Sequence, residues 1–284
     1  MGQPAFTVHN SLIASGIDHV PIAVPDLERS RREFESLGFQ VAPRANHEHF
    51  GTANHLCVFD GIYIELIGVE NHQPLDRTSY DALAPCIAGG GGIPMLALST
   101  DDASATRRAL TAVGASTSEP LTWSRSADTP DGQRTASFTT MFVQSALLPG
   151  FVVFFCQHHT RELVFHRSWQ IHPNGAVTVL GIERSTPDDV GRIGQRLSSL
   201  LGANQIVAEA DGSLRVRLGR HYIRYRHAPG QSSTRLILRA PSFEKLAQVI
   251  SERIQRTADS ERNAPLSTVR AVSLCFVPEP INND

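Results

Sequence analysis

The chain has 284 residues, of which 41% are hydrophobic and 19% charged, with a formal net charge of −2 and a pI near 6.6. Enough apolar material is present for ordinary globular cores, and the length favours two domains over one. The near-neutral balance points away from nucleic acid or an anionic membrane as a partner.

In chain order, the opening stretch MGQPAFTVHNSLIASG has no basic segment followed by an apolar one, so no signal peptide is expected. Residues 16–24, GIDHVPIAV, form a β-branched run that ends at Pro25-Asp26, a helix-start signal. DLERSRREFESLGF reads as a helix with Leu27, Phe34 and Leu37 at helical spacing and Gly38 as its stop. Extended stretches follow: FQVAP, GTANHLCVFDG, and IYIELIGV after an Asp60-Gly61 turn. The order is strand, helix, three strands.

That order recurs. GIPMLALST (92–100) precedes a helix, DDASATRRALTAVG, then strands TASFTTMFVQ and FVVFFCQHH. A third copy holds AVTVLGIERS, the helix PDDVGRIGQRLSSLLG, and strands QIVAEA, SLRVRLG and HYIRYRH. A fourth holds TRLILRA, the helix SFEKLAQVISERIQR and the closing strand TVRAVSLCFV. Such self-similarity outweighs any single motif. It predicts an α+β fold of four tandem βαβββ modules, the last two trimmed, forming two cupped, mostly antiparallel sheets with helices outside. The expected domains are 1–172 (modules 16–75 and 92–160) and 173–284, divided at the His172-Pro173-Asn174-Gly175 turn.

No stretch approaches the ~18 apolar residues of a membrane span; FVVFFC is the longest notable run. Cys57, Cys86, Cys156 and Cys275 are far apart, three of them in apolar strand-like runs, which fits small buried side chains and a reducing cytoplasm. GGGG (89–92) lacks the lysine and serine or threonine of a phosphate loop and precedes a strand, so it reads as a linker between modules. Arg215, Arg217, Arg220, Arg224 and Arg226 read as a solvated face of two strands. No GxSxG nucleophile motif occurs.

GIDHVPIAVPDLERSRREFESLGF followed by GTANHLCVFDGIYIELIGV resembles the first module of the glyoxalase-like branch of the vicinal oxygen chelate superfamily. CQHHTRELVFHRSWQIHPNGA is similar to the end of the second module. The resemblance covers 16–175; beyond it only the unit pattern extends. The superfamily hosts isomerases, ring-cleaving dioxygenases, resistance proteins and binding proteins, so its fold alone does not choose an activity.

In metal-using members a ligand lies on the first strand of a module and another on its last. The matching positions here are His19 and Glu65, a donor pair suited to divalent Fe, Mn, Zn, Ni or Co. Such an ion polarises a carbonyl, binds an enediolate or holds dioxygen. The matching places in module two are Met95 and Phe155 or its neighbour, which are not ligands for a hard metal. A third ligand would then come from His47, His49, His55 or His158. The alternative is a metal-free cavity in which His19 and Glu65 bond each other or a ligand.

Period-two alternation groups Tyr63, Glu65 and Ile67 on one face, and sets His55, Cys57 and Phe59 against Asn54, Leu56 and Val58. Either Asn54 or His55 therefore joins Glu65, and the resemblance favours Asn54 through its GTxN pattern. The resemblance also places a histidine at His47, a candidate acid/base imidazole. Alternation sends one of His158 and His159 inward.

The sequence thus predicts an enzyme acting on a small oxygenated molecule by a metal-assisted lyase, isomerase or dioxygenase step. His19 and Glu65 would hold the ion, Glu65 and His47 would serve catalysis, and Asn54, His55, Met95, Phe155 and His158 would contact the substrate. The rival is a non-catalytic small-molecule binder whose ligand is clasped by Met95, Phe154 or Phe155, and Met141. The second half would support the first or contribute to a homodimer.

Overall fold

The computed structural model describes residues 16–71, 73–230, 232–240 and 272–277, together with 242, 244, 246–249, 251 and 252. The first module comprises β1 (Ile17–Ala23), α1 (Leu27–Ser36), β2 (Ala45–His47), β3 (Thr52–Phe59) and β4 (Ile62–Val69). Helix α2 (Thr78–Ala88) leads to the second, with β5 (Met95–Ser99), α3 (Ala103–Ala112), β6 (Leu121–Thr129), β7 (Gly132–Phe142) and β8 (Val152–His158). After the short helix α4 (Arg161–Val164) comes the third module: β9 (Thr178–Thr186), α5 (Val190–Leu201), β10 (Ile206–Ala208), β11 (Leu214–Leu218) and β12 (His221–His227). The fourth retains β13 (Ser233–Arg239) and β14 (Val272–Val277); of the helix expected between them, residues 244, 246–249, 251 and 252 are helical and the others, apart from Ser242, lie outside the described residues.

The same local chemistry starts the helix of each of the first three modules. Asp26 accepts from Arg29 N at 2.9 Å, Asp102 from Ala105 N at 2.8 Å, and Asp189 from Gly191 N at 2.8 Å. Each aspartate satisfies an N–H that the helix leaves orphaned, and its charge suits the positive end of the dipole. Gly38 ends α1 at φ +81°, where an added Cβ would lie 2.9 Å from Asn174 Cβ.

The strands form two sheets, in the orders β2-β3-β4-β1-β5-β8-β7-β6 and β10-β11-β12-β9-β13-β14. Within each module the first and last strands are parallel neighbours: β1 with β4, β5 with β8, β9 with β12, β13 with β14. Modules join through antiparallel first strands, β1 with β5 and β9 with β13. The first sheet curls until His47 on β2 meets Trp123 on β6, ring centroids 5.2 Å apart. Its concave face carries Leu56, Tyr63, Ile67, Met95, Phe138 and Phe154. Its convex face carries Val20, Ile22, Ile64, Leu96 and Phe155, packs on Phe34 and Leu110 of α1 and α3, and is continuous with the core of the second sheet.

Three local expectations change. Phe39–Pro43 is not a ladder strand, and only Ala42 N bonds across, to Leu56 O at 2.8 Å. Strand β6 and helix α2 arise where no element was predicted, because LTWSRSADT is largely polar and TSYDALAPCIA contains Pro85. The Gly89–Gly92 linker is pinned, since Ala23 and Gly92 exchange backbone bonds of 2.8 and 3.1 Å. The His172–Gly175 turn is likewise held: His172 Nδ1 accepts from Gln40 N at 3.0 Å, and Asn174 Nδ2 donates to Leu37 O at 3.0 Å. Arg215, Arg224 and Arg226 face Glu183, Glu209 and Asp211 in a shared ion-pair network.

Candidate active site

The cup of the first sheet holds a cavity of about 50 Å³, room for a few waters. Its wall includes His19, His47, Asn54, Glu65, Met95 and Arg125, with Tyr63, Trp123, Phe138 and Phe154 as aromatic lining. Every strand of the first module sends polar side chains inward, and parity explains most of that choice. The register pairs Pro21 with Glu65 and His19 with Tyr63, so the β1 and β4 side chains share a face.

Position 18 breaks the parity. Ile17 pairs with Leu98, but His19 pairs with Ala97, a register shift that inserts one extra residue into β1. The bulge sends Ile17 to the convex core while Asp18 and His19 end up bonded to each other. Asp18 Oδ1 lies 2.7 Å from His19 Nδ1 and 3.0 Å from His158 Nε2, so one fully buried carboxylate serves two imidazoles. Burial pushes its pKa up, but His158 and then His19 more than offset this and hold it below the usual carboxylate range. Asp18 is thus an anion at neutral pH.

With Nδ1 held by Asp18, His19 turns Nε2 towards Glu65 Oε2, 3.5 Å away. Asn54 Nδ2 donates to the other Glu65 oxygen at 2.6 Å. The His19 ring stacks on Tyr63, centroids 4.4 Å apart and 10° from parallel. Both inward donors are therefore oriented from behind. Their 3.5 Å spacing is long for a hydrogen bond. It matches two donors of one ion, which with bonds of about 2.0–2.2 Å lie roughly 3–3.5 Å apart. The pair fits a divalent metal. Met95 and Phe154 occupy the places in module two that correspond to His19 and Glu65, as Ala97 pairs with Phe154 where Pro21 pairs with Glu65.

His47 also faces the cavity, with Nδ1 3.1 Å from Thr52 Oγ1. Burial, then the neighbouring Arg125 and His19, hold its pKa well below the usual imidazole value, so it is neutral at pH 7. Burial also keeps the Tyr63 hydroxyl and the Cys156 thiol protonated, pushing both well above their usual values.

The structure brings together His19, His47, Asn54, Glu65 and Met95, and turns His55, Phe155 and Met141 away from the cavity. His55 sits on the opposite face of β3, bonded to Ala42 O at 2.9 Å and Glu28 at 3.1 Å. Phe155 points into the convex core, leaving Phe154 on the cavity, and Met141 shares that core. Alternation is the reason in each case. His158 lies behind the cavity wall on the far side of Asp18. Sequence reasoning missed Asp18, Arg125 and Trp123. The alternation Trp123, Arg125, Ala127 was readable once β6 was known, whereas the bulge that recruits Asp18 leaves no mark in the sequence. A second donor cluster adjoins the first: Asp18, Cys156 and His158 place a carboxylate, a thiol and an imidazole within 4.8 Å of one another.

A family profile described as a glyoxalase-like domain matches residues 17–201. The chain belongs to that family. Two solved structures similar to this glyoxalase-like chain share its fold. A hypothetical protein from Staphylococcus aureus superposes with a TM-score of 0.63 at 15% identity, covering 80% of this chain and 91% of that one. A triple mutant of 4-hydroxymandelate synthase from Streptomyces coelicolor gives 0.50 at 12% identity, over 84% and 75%. Methylmalonyl-CoA epimerase from Mycobacterium tuberculosis gives 0.38 at 22% identity, over 51% and 89%. No curated protein matches the sequence. Module order, sheet curvature and the vicinal oxygen chelate fold are as the sequence predicts, and no described helix is long and apolar enough to cross a membrane.

Proposed function

We propose that this glyoxalase-like chain is an enzyme that acts on a small oxygenated molecule in the cup of the first sheet, by a metal-assisted lyase, isomerase or dioxygenase step. The observation that carries this reading is the convergence of His19 Nε2 and Glu65 Oε2 at 3.5 Å, with Asp18 and Asn54 fixing each from behind. His19 and Glu65 would hold a divalent Fe, Mn, Zn, Ni or Co ion, which when bound supplies a Lewis acid for a carbonyl or enediolate oxygen.

The chain's own residues then have distinct tasks. Asp18 keeps His19 in one tautomer and orientation, since a carboxylate on the far ring nitrogen fixes and tunes a metal-binding imidazole. Asn54 leaves Glu65 one free oxygen directed at the cavity. Neutral His47 is the acid/base group, because an uncharged imidazole can accept a proton from bound substrate and return it. Tyr63, Trp123, Phe138 and Phe154 exclude water from the reacting centre. Substrate contacts fall to Asn54, Met95 and Phe154, with His158 acting only through Asp18. A cytoplasmic location accords with the four free cysteines.

The rival reading, a non-catalytic binder, draws on Met95 and Phe154, which fill half of the symmetric ligand positions with apolar groups. Metal titration followed by calorimetry discriminates the two. The enzyme reading expects near-stoichiometric binding lost in His19→Ala and in Glu65→Ala. Metal binding undiminished in both variants would falsify it.

A further inference from the structure

Arg125 projects from the edge strand β6 into the same cavity as His19 and Glu65. Its Nη1 donates to Ser126 O at 3.1 Å and its guanidinium lies 5.5 Å from the Phe138 ring centre. Its Nε is buried and has no hydrogen-bond partner. Among the described residues no carboxylate lies within 4 Å of it, whereas Arg107, Arg215 and Arg224 each reach one. Glu48 and Asp128 line the groove outside, on the other side of Arg125, and do not pair with it. Inside the cavity Glu65 acts on it only from beyond ion-pair distance. The neighbouring His47 is neutral and contributes no competing charge.

Arg125 as a whole is half-buried, but a guanidinium whose Nε–H is shut off from water with no acceptor and no counter-ion is costly unless a ligand completes it. Its fork of N–H groups matches a planar carboxylate, which it can grip through two parallel bonds. The free Nε–H is one half of such a fork. The wall around it is aromatic, so the rest of the ligand is small and largely apolar.

We infer that Arg125 binds the carboxylate of the substrate, and that this cavity takes small organic carboxylates. The inference deepens the proposed function, resting on the same cavity and naming its substrate class. It also separates the roles within it: Arg125 anchors the acid while the reacting carbon is presented to His19 and Glu65.

The test is thermal unfolding of chelator-treated protein with sodium acetate, pyruvate or benzoate, beside acetamide and sodium chloride at matched ionic strength. Wild type is expected to gain about 2–4 °C from at least one carboxylate at concentrations well above its Kd, and nothing from acetamide. Arg125→Met is expected to lose that gain, Arg125→Lys to keep part of it, and His19→Ala to keep it in full. Without ligand, Arg125→Met should be at least as stable as wild type, because no protein carboxylate loses its partner. Equal responses in wild type and both Arg125 variants, including none in any, overturn the inference. So does a gain lost in His19→Ala and kept in Arg125→Met, which would place the carboxylate on the His19–Glu65 pair. Metal binding is not read in this experiment, so its failure leaves the proposed metal site standing, and the reverse also holds.

Discussion

His19 owes its position to a neighbour that points, by simple alternation, the wrong way. Asp18 reaches it only because a bulge interrupts β1, and it then fixes two imidazoles at 2.7 and 3.0 Å. Asp18→Asn keeps the shape and removes the charge. Metal affinity should fall about 10- to 100-fold, as for other partners that orient a ligand. Stability should fall by about 1–3 kcal/mol, because two buried imidazoles lose an anionic acceptor. Isothermal titration with the metal and urea unfolding measure the two effects, and an unchanged affinity would reduce Asp18 to a structural role. His19 and Glu65 were legible in the sequence through the family pattern, and Asn54 through the same pattern after strand parity had left it level with His55. Asp18 was not, since a one-residue register shift costs nothing in composition or periodicity.

The strands show where sequence reading is strong and where it fails. Strands with an apolar face, such as β1, β3, β4 and β8, announce themselves by β-branched and aromatic runs. Strand β6 is polar on its outer face and lies at the sheet edge, so its Trp123 and Arg125 stayed hidden. The same duplicated geometry gives a test of the site. Met95 and Phe154 stand where module two would present its own ligand pair, facing His19 and Glu65 across the β1–β5 seam. Met95→His with Phe154→Glu should raise metal affinity by at least about tenfold, since two further donors join an existing pair. An equilibrium competition with a chromogenic chelator reads this directly, and no gain would mean that the two half-sites do not converge.

At the scale of the whole molecule, the convex core of the first sheet runs without a break into the second. Tyr225 OH donates to Pro149 O at 3.1 Å, and Phe39 stacks on Phe276 at 6.2 Å. The two halves should therefore unfold in one calorimetric transition, and two resolved transitions would show independent domains. Acid sensitivity should follow from buried histidines at the junction and in the second sheet. Burial holds His172 and His221 down to about 4, from 6.5, despite the bond of His172 to Val58 O. With folded pKa values below the unfolded one, protons favour the unfolded chain. Stability is complete above about pH 6.5 and declines as pH falls towards 4, by on the order of 2–3 kcal/mol for each histidine. Urea midpoints between pH 4 and 7 should show this slope, and His172→Gln should flatten it.

His19 and Glu65 are together proposed to hold a divalent metal. Elemental analysis of protein purified without chelator or affinity-tag metal, after reconstitution with each candidate ion, tests it most directly. Near-stoichiometric metal is expected in wild type and in Cys156→Ser, with its loss in both His19→Ala and Glu65→Ala. Metal kept in His19→Ala and lost in Cys156→Ser would contradict it and place the ion on Asp18, Cys156 and His158. No metal under any condition would contradict it too, and leave the cup to a ligand held without one.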